Sequence, residues 1–504
     1  MSKHVSGTLL LSFPLDPAAT KPFYQQIYDH LREAILNGSL PAGSRLPSTR
    51  LLARNLGVSR TTVLVAFEQL LYEGYIRGST GSGTYVEDVL PDELLLSSLP
   101  TTQSQHSAQD IQPFAGLSQR GQVIASTTVA PNQDWDPQIV NRAFRPGIPA
   151  LNEFPWKQWS QLVTRLQRTI PPELFSYSDP AGYLPLRREI AAYAHAARGV
   201  HCSAEQVIIV AGSQQAINLA AQLLLDPGDE VWIEDPCYLG SRSALLSNGA
   251  HLLPIPVDRD GIDVTYGIIN HPSARMVYVT PSHQYPLGAT MSLARRLALL
   301  RWAQRTGAWI LEDDYDGEYR YTGHPLASLQ GLDRSERVLY LGTFSKVLFP
   351  GLRLGYLIVP PVLVDAMSAA HATADRQSPI FAQCVLTDFF TGEHFSRHVR
   401  RMRSLYAERQ AILVEAAERS LKGYLTLPAA ESGMHLVGTL PAQVEDTEVL
   451  RIASKYNVVA SPLSRYYLHQ PAQQGLILGY TAFDEQQIRH GIQHLAQAFA
   501  DLPR

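Results

Sequence analysis

Between Lys21 and Val86 the apolar residues fall first at helical and then at alternating spacing. Ile27, Leu31, Ala34 and Ile35 sit three to four apart, and Gly38 follows as a stop. After the loop SLPAGSRLPS a short helix is predicted near Thr49–Leu56, ended by Gly57. Ser59 is placed to cap a longer helix whose apolar positions are Val63, Ala66, Phe67, Leu70 and Leu71, with Gly74 as its end. Tyr75–Arg77 and Thr84–Val86 predict two short strands around the turn GSTGSG.

Three helices and a hairpin in that order make a winged helix-turn-helix over residues 21–87. The next stretch, 88–137, is rich in Ser, Thr, Gln and Pro and is read as a linker. From 138 to 504, short apolar runs (VIIV, EVWIED, MVYVTP, WILEDD and VLYLGT) alternate with helical segments. That alternation predicts an α/β domain with a mostly parallel sheet. Ligands of such sheets bind at the carboxyl ends of strands, and the most polar motifs of this chain fall there. Residues 1–20 are read as an N-terminal extension. The apolar stretch Gly7–Leu15 contains Pro14 and lacks a small-residue cleavage site, so it is not read as a signal peptide.

A chain of 504 residues with 45% hydrophobic and 17% charged residues suits two or more folded domains and argues against wholesale disorder. The net charge is −4, but Lys21–Val86 carries seven Lys and Arg against four acids, so a basic module sits on an acidic remainder. Three widely separated cysteines, Cys202, Cys237 and Cys384, suggest neither a disulfide framework nor a zinc knuckle. A reducing cytoplasm is the expected setting. No apolar run has the length of a membrane span, so no membrane association is expected.

The start of the third helix presents Ser59, Arg60, Thr61 and Thr62, where a recognition helix meets base edges, and Arg60 suits guanine. Arg45, Ser48 and Arg50 surround the start of the second helix and suit phosphate contacts on double-stranded DNA. Gly81 and Gly83 allow close approach of the wing backbone to the duplex. With its LPS turn, VSR-x-TV helix start and glycine-rich wing, the segment resembles the GntR family of winged helix-turn-helix regulators almost end to end.

In LGTFSKVLFPGLRLGYLIVP, a strand and a Thr/Ser-rich turn lead to Lys346, with Arg353 seven residues on. This resembles the lysine motif of fold-type I enzymes that use pyridoxal 5'-phosphate (PLP), of the aminotransferase superfamily. The resemblance implies that Lys346 forms a Schiff base with PLP, that Arg353 pairs with the phosphate, and that Ser345 adds a hydroxyl contact. Three further motifs follow the superfamily's order. AGSQQA places the backbone N–H groups of Gly212, Ser213 and Gln214 at a helix start, a natural phosphate cradle. EDPCY ends on Tyr238, which resembles the residue that stacks on the pyridine ring. EDDYDGEY carries Asp313, which resembles the partner of the pyridine nitrogen, and Tyr315, which resembles the phenol on the ring hydroxyl. In SYSDPAGYLPLR, Tyr177 matches a tyrosine that reaches the phosphate across a subunit boundary, which implies a homodimer.

Two positions depart from a working aminotransferase. Tyr285 stands where those enzymes carry an asparagine, and LILGYTAF (476–483) lacks the arginine that clamps a substrate carboxylate. Arg465 is a candidate substitute. His394 and His398 lie one helical turn apart without a third ligand, so no metal is expected. Taken together, the two halves resemble the MocR subfamily of GntR regulators over nearly all of 21–500. The resemblance implies a PLP-binding, DNA-binding transcription regulator that responds to PLP, or to an amine or amino acid reacting with it. The alternative is an active PLP-dependent aminotransferase with an autoregulatory DNA-binding head.

Overall fold

Helix starts and stops are set by local chemistry in the N-terminal part of the chain. The computed structural model describes residues 13–79, 83–88, 116–126, 143–323 and 326–502. Helix α1 (Phe23–Leu36) is followed by α2 (Thr49–Leu56), which Ser48 caps by accepting from the Leu51 N–H and which Gly57 ends in a left-handed conformation. Helix α3 (Arg60–Tyr72) is capped by Ser59 through the Thr62 N–H. Strands β1 (Ile76–Ser79) and β2 (Gly83–Val86) pair antiparallel. Ile27, Leu31 and Ile35 of α1 meet Leu52 of α2 and Val63, Ala66 and Leu70 of α3 in one core. Each large apolar side chain among them contributes about 1.5–3 kcal/mol on burial. Leu71, expected on the apolar face, is half exposed. Phe13 and Leu15, placed in the N-terminal extension, pack against this core, whereas residues 1–12 lie outside the described residues.

The chain divides into two compact units, Met1–Phe114 and Ala115–Arg504. Within the stretch read as a linker, Gln119–Ser126 forms helix α4, and Arg120 donates to the Ser247 carbonyl and to Asn248. Apart from residues 88 and 116–118, the rest of that stretch lies outside the described residues.

The second unit is built on eight strands: β3 (Val207–Val210), β4 (Glu230–Asp235), β5 (His251–Asp258), β6 (Gly261–Ile262), β7 (Met276–Val279), β8 (Trp309–Asp314), β9 (Val338–Thr343) and β10 (Gly355–Ile358). Their order is β3-β10-β9-β8-β7-β4-β5-β6. Strands β9, β8, β7, β4 and β5 run parallel, and β10 lies antiparallel between β3 and β9. The mostly parallel sheet expected from the alternation is present; β6 runs antiparallel to β5 at its edge, and β10 is reversed within it. The reason is the length of its connection. Residues 344–354 are too few for the helical crossover that parallel neighbours need, so the chain turns straight back. Strands β8 and β9 are buried along their whole length, which explains the apolar runs Trp309–Leu311 and Val338–Leu341, while the acidic end of β8 faces the site. A smaller sheet, β11 (His435–Thr439), β13 (Gly475–Gly479) and β12 (Ser461–Pro462), packs with the helices His394–Ser420 and Glu485–Ala500 around a separate core.

Candidate functional site

On the N-terminal unit, Arg45, Ser48, Arg50, Ser59, Arg60 and Thr61 are exposed and Thr62 is partly so. The serines have a second duty. Ser48 and Ser59 spend their hydroxyls on capping, and Ser59 also meets the Thr62 hydroxyl at 2.8 Å. Arg60 Nε donates to Thr49 at 3.5 Å, tying the start of α3 to the start of α2. The bare face of Gly83 is covered by Arg45, since a β-carbon there would lie 2.8 Å from its Nε. Gly81 lies outside the described residues. Leu64 and Val65, which the sequence reading passed over, are 40% and 38% exposed on α3, a position from which apolar side chains reach thymine methyls.

In the C-terminal unit, the carboxyl ends of β4, β7, β8 and β9 open on a cavity of about 260 Å³. Its lining brings together Ser213, Gln214, Tyr238, Asp313, Tyr315, Ser345, Lys346 and Arg353 from separate motifs. Asp313, at the end of β8, accepts from the Tyr278 hydroxyl at 2.7 Å through Oδ2, while its buried Oδ1 has no partner. Burial pushes the Asp313 carboxyl up to about 7, against the opposing pull of the Tyr278 hydrogen bond. Glu234 of β4 and Glu312 of β8 are raised to about 7 by the same cause.

Lys346 lies in the turn between β9 and β10, and its Nζ donates to the Gly147 carbonyl at 2.8 Å. Gly147 has φ +75°, and a β-carbon there would meet Nζ at 2.8 Å, so the lysine's position depends on a glycine. Desolvation lowers the Lys346 pKa, with Asp316 and Asp313 pulling the other way. At the far end of the same turn, Arg353 adopts φ +52° and sets its guanidinium beside Gly212. Ser213 and Gln214 begin helix α5 (Ser213–Leu224), so their N–H groups have no carbonyl within the helix to bond. The Gln214 side chain itself turns away to the Gly240 carbonyl.

Tyr238 forms one wall and Tyr285 stands edge-on to it, with ring centroids 5.9 Å apart. Tyr315 meets His283 Nδ1 at 2.8 Å. The β8 end that carries Asp313 and Tyr315 is held from below by Arg198. Its guanidinium makes two bonds to Asp314, at 2.5 and 2.9 Å, and one to Ser282 at 2.6 Å, and Tyr340 donates to Asp314 at 2.6 Å. Sequence reasoning missed Gly147, Tyr278, Thr280, Thr343 and His435, which also line the cavity. Gly147, Tyr278 and His435 come from segments that carry no local signal, whereas Thr280 and Thr343 lie at the ends of predicted strands, Thr343 three residues before Lys346.

Tyr177 is not in the cavity of its own chain. It is 79% exposed, with the Arg376 guanidinium 4.9 Å from its ring centre. Arg465 is partly buried and stands outside the lining, within electrostatic reach of Tyr285, which is part of it. His398 bonds the Val347 carbonyl at 3.0 Å and is pushed down to about 4 by burial, which makes it a support behind the Lys346 turn.

The residues fit a phosphorylated pyridine aldehyde. A buried carboxylate oxygen without a partner is costly, and a pyridinium N–H satisfies it. A helix start with free N–H groups and a guanidinium beside it suits a phosphate.

Residues 151–495 match the family of class I and II aminotransferases, and residues 23–86 match the gntR family of bacterial regulatory proteins. The chain is 42% identical over 492 residues to the probable rhizopine catabolism regulatory protein MocR of Rhizobium meliloti, covering 97% of this chain and 96% of that one. It is 30% identical to the pyridoxine biosynthesis transcriptional regulator PdxR of Corynebacterium glutamicum, over 97% and 98% of the two chains. Among solved structures, the α-aminoadipate aminotransferase LysN of Thermus thermophilus, complexed with N-(5'-phosphopyridoxyl)-L-leucine, superposes with a TM-score of 0.69 at 28% identity, over 75% of this chain and 97% of that one. The chain therefore belongs to the MocR-type regulators, in which a gntR-family helix-turn-helix head is joined to a class I and II aminotransferase domain.

Proposed function

We propose that this protein is a transcription regulator that binds double-stranded DNA through its N-terminal unit and holds PLP on Lys346 of its C-terminal unit. Its promoter binding responds to PLP, or to an amine or amino acid that reacts with it. The observation that carries this reading is the convergence of Lys346, Asp313, Tyr315 and Arg353 on one cavity in a chain whose N-terminal unit also exposes Arg45, Arg50 and Arg60 around the starts of α2 and α3.

When bound, PLP supplies an aldehyde that condenses reversibly with primary amines and a ring that takes up electron density. Lys346 would hold it covalently, and burial, which lowers the lysine's pKa, favours the nucleophilic neutral amine. Asp313, through its free Oδ1, would hold a proton on the ring nitrogen. Arg353, Ser345 and the N–H groups of Ser213 and Gln214 would bind the phosphate, and Tyr238 would pack on the ring. Arg353 is the one guanidinium lining the cavity among the described residues. Committed to the phosphate, it does not serve a substrate carboxylate, and the strand LILGYTAF (476–483) carries no arginine, which favours sensing over efficient transamination.

The regulator acts as a homodimer in the cytoplasm, with Tyr177 offered to the partner's site. No helix among the described residues is long and apolar enough to cross a membrane. Filling the cavity shifts the population of C-terminal conformations, and with it the spacing of two DNA heads.

The test is binding of the full chain to DNA upstream of its own gene, at fixed salt and with competitor DNA, while PLP alone or PLP with a panel of amines is titrated in. Affinity or footprint is expected to change for the wild type and not for Lys346→Ala. An identical response in the two proteins would refute the coupling.

A further inference from the structure

Behind the cavity, His283 is enclosed on all sides. Its side chain is 1% exposed, and its Nδ1 faces two oxygens, Tyr315 at 2.8 Å and Asp316 at 3.0 Å. Its Nε2 is buried without a partner. Gly433, at φ +100°, makes room for the ring, because a β-carbon there would come within 2.0 Å of it.

The partners around the ring favour one tautomer. Asp316 is 1% exposed, and His283 is its side-chain partner. A buried carboxylate needs a donor, so the proton belongs on Nδ1. The orphan Nε2 is then an acceptor, a smaller loss than an unpaired N–H. With Nδ1 already a donor, the Tyr315 oxygen accepts from it, and the Tyr315 proton is left to point away from His283, toward the cavity that Tyr315 lines. The neighbouring phenol gives no such help, since Tyr285 donates to Tyr466 at 3.3 Å.

We infer that Asp316 and His283 act as positioning residues that make Tyr315 an obligate hydrogen-bond donor into the cofactor cavity, aimed at the ring oxygen of PLP. This rests on the PLP reading above. The other groups facing His283 do not compete for the role. His435, from β11, donates Nε2 to the Pro286 carbonyl at 2.9 Å and is pushed down to about 3 by burial, hence neutral. Lys346 donates to Gly147. A donor on the ring oxygen draws that oxygen away from the proton of the lysine linkage, so losing the donor raises the pH at which the linkage loses its proton.

The experiment is a pH titration of the visible absorbance of lysine-linked PLP in the full chain. Tyr315→Phe and His283→Phe are expected to raise the midpoint by about one pH unit, and the double variant by no more than Tyr315→Phe alone. His283→Asn, which keeps an N–H at the Nδ1 position, is expected to stay within a few tenths of a unit of wild type, roughly the scatter of independent sites. Should His283→Phe not fold, Asp316→Asn reads the same pair and is expected to shift in the same direction. A wild-type midpoint in His283→Phe or Asp316→Asn, or full additivity in the double variant, overturns the inference. His283, Asp316 and His435 also lie close enough to ligate a metal ion. A stoichiometric metal in the purified wild type that is lost in His283→Phe overturns it as well. A wild type that shows no band with PLP and fixes none on borohydride reduction removes the cofactor reading itself, and the inference with it.

Discussion

Tyr278 donates to Oδ2 of Asp313 at 2.7 Å and leaves the other oxygen of that carboxylate buried and alone. The pair thus defines a half-satisfied acid at the floor of the cavity, and its pH dependence follows. In the cofactor-free fold the carboxyl is raised to about 7, against about 3.9 when unfolded. The folded state therefore binds the extra proton. Its contribution to stability is full below about pH 4 and is lost as the pH rises through about 7. Between pH 5 and 8, cofactor-free wild type is expected to lose on the order of 2 kcal/mol more stability than Asp313→Asn. Thermal melts across that range check it, and parallel curves for the two proteins would count against the assignment.

Arg353 is predicted to read the phosphate and little else. Arg353→Met is expected to weaken PLP binding by about tenfold to a hundredfold, the range of a charged hydrogen bond, and to leave pyridoxal binding nearly unchanged. Equilibrium dialysis with the two ligands measures this. Equal losses for both would place Arg353 elsewhere.

Arg198 holds Asp314, and so the whole end of β8, through a buried two-pronged ion pair. Arg198→Ala leaves that carboxylate without its cation, and a loss of about 3–5 kcal/mol is expected. All six tryptophans lie at 135 or beyond, so tryptophan fluorescence in urea reports on the C-terminal unit alone. An unfolding midpoint like that of wild type would show that Asp314 finds another partner.

On the DNA head, Arg60 and Arg50 are expected to fail differently. Arg60→Ala is predicted to cost about 1–3 kcal/mol of discrimination between the operator and its point variants. Arg50→Ala is predicted to weaken binding to all sequences alike and to lower the salt slope by about one. Gel-shift titrations at several salt concentrations separate the two. A uniform loss from Arg60→Ala would make it a phosphate contact instead.

The winged head was legible almost residue by residue, because its helices begin at Ser48 and Ser59 and the second ends at Gly57 by interactions within four residues. Strands β3, β4, β8 and β9 were legible for a similar reason, being apolar runs buried on both faces. Strand β10 was not, since its direction depends on the shortness of the turn before it and on a slot between β3 and β9. Helix α4 was also missed, in a segment of weak periodicity that is fixed through Arg120 to the carbonyl of Ser247.

The cavity divides in the same way. Lys346, Asp313, Tyr315 and Arg353 could be named from the chain because each sits in a local motif at the end of a strand. Gly147, Tyr278, His283 and His435 could not, since a glycine, a phenol or an imidazole acquires a role only when another segment brings its partner near. The sequence by itself determined the two units, their fold classes and the groups able to hold a cofactor, all of which follow from periodicity, caps and short motifs. Only the tertiary structure decided which oxygen of Asp313 is free, which carbonyl Lys346 bonds, and which two oxygens meet His283 Nδ1. Those depend on distances of about 3 Å between residues more than thirty positions apart, and hydrogen bonds are settled at that range.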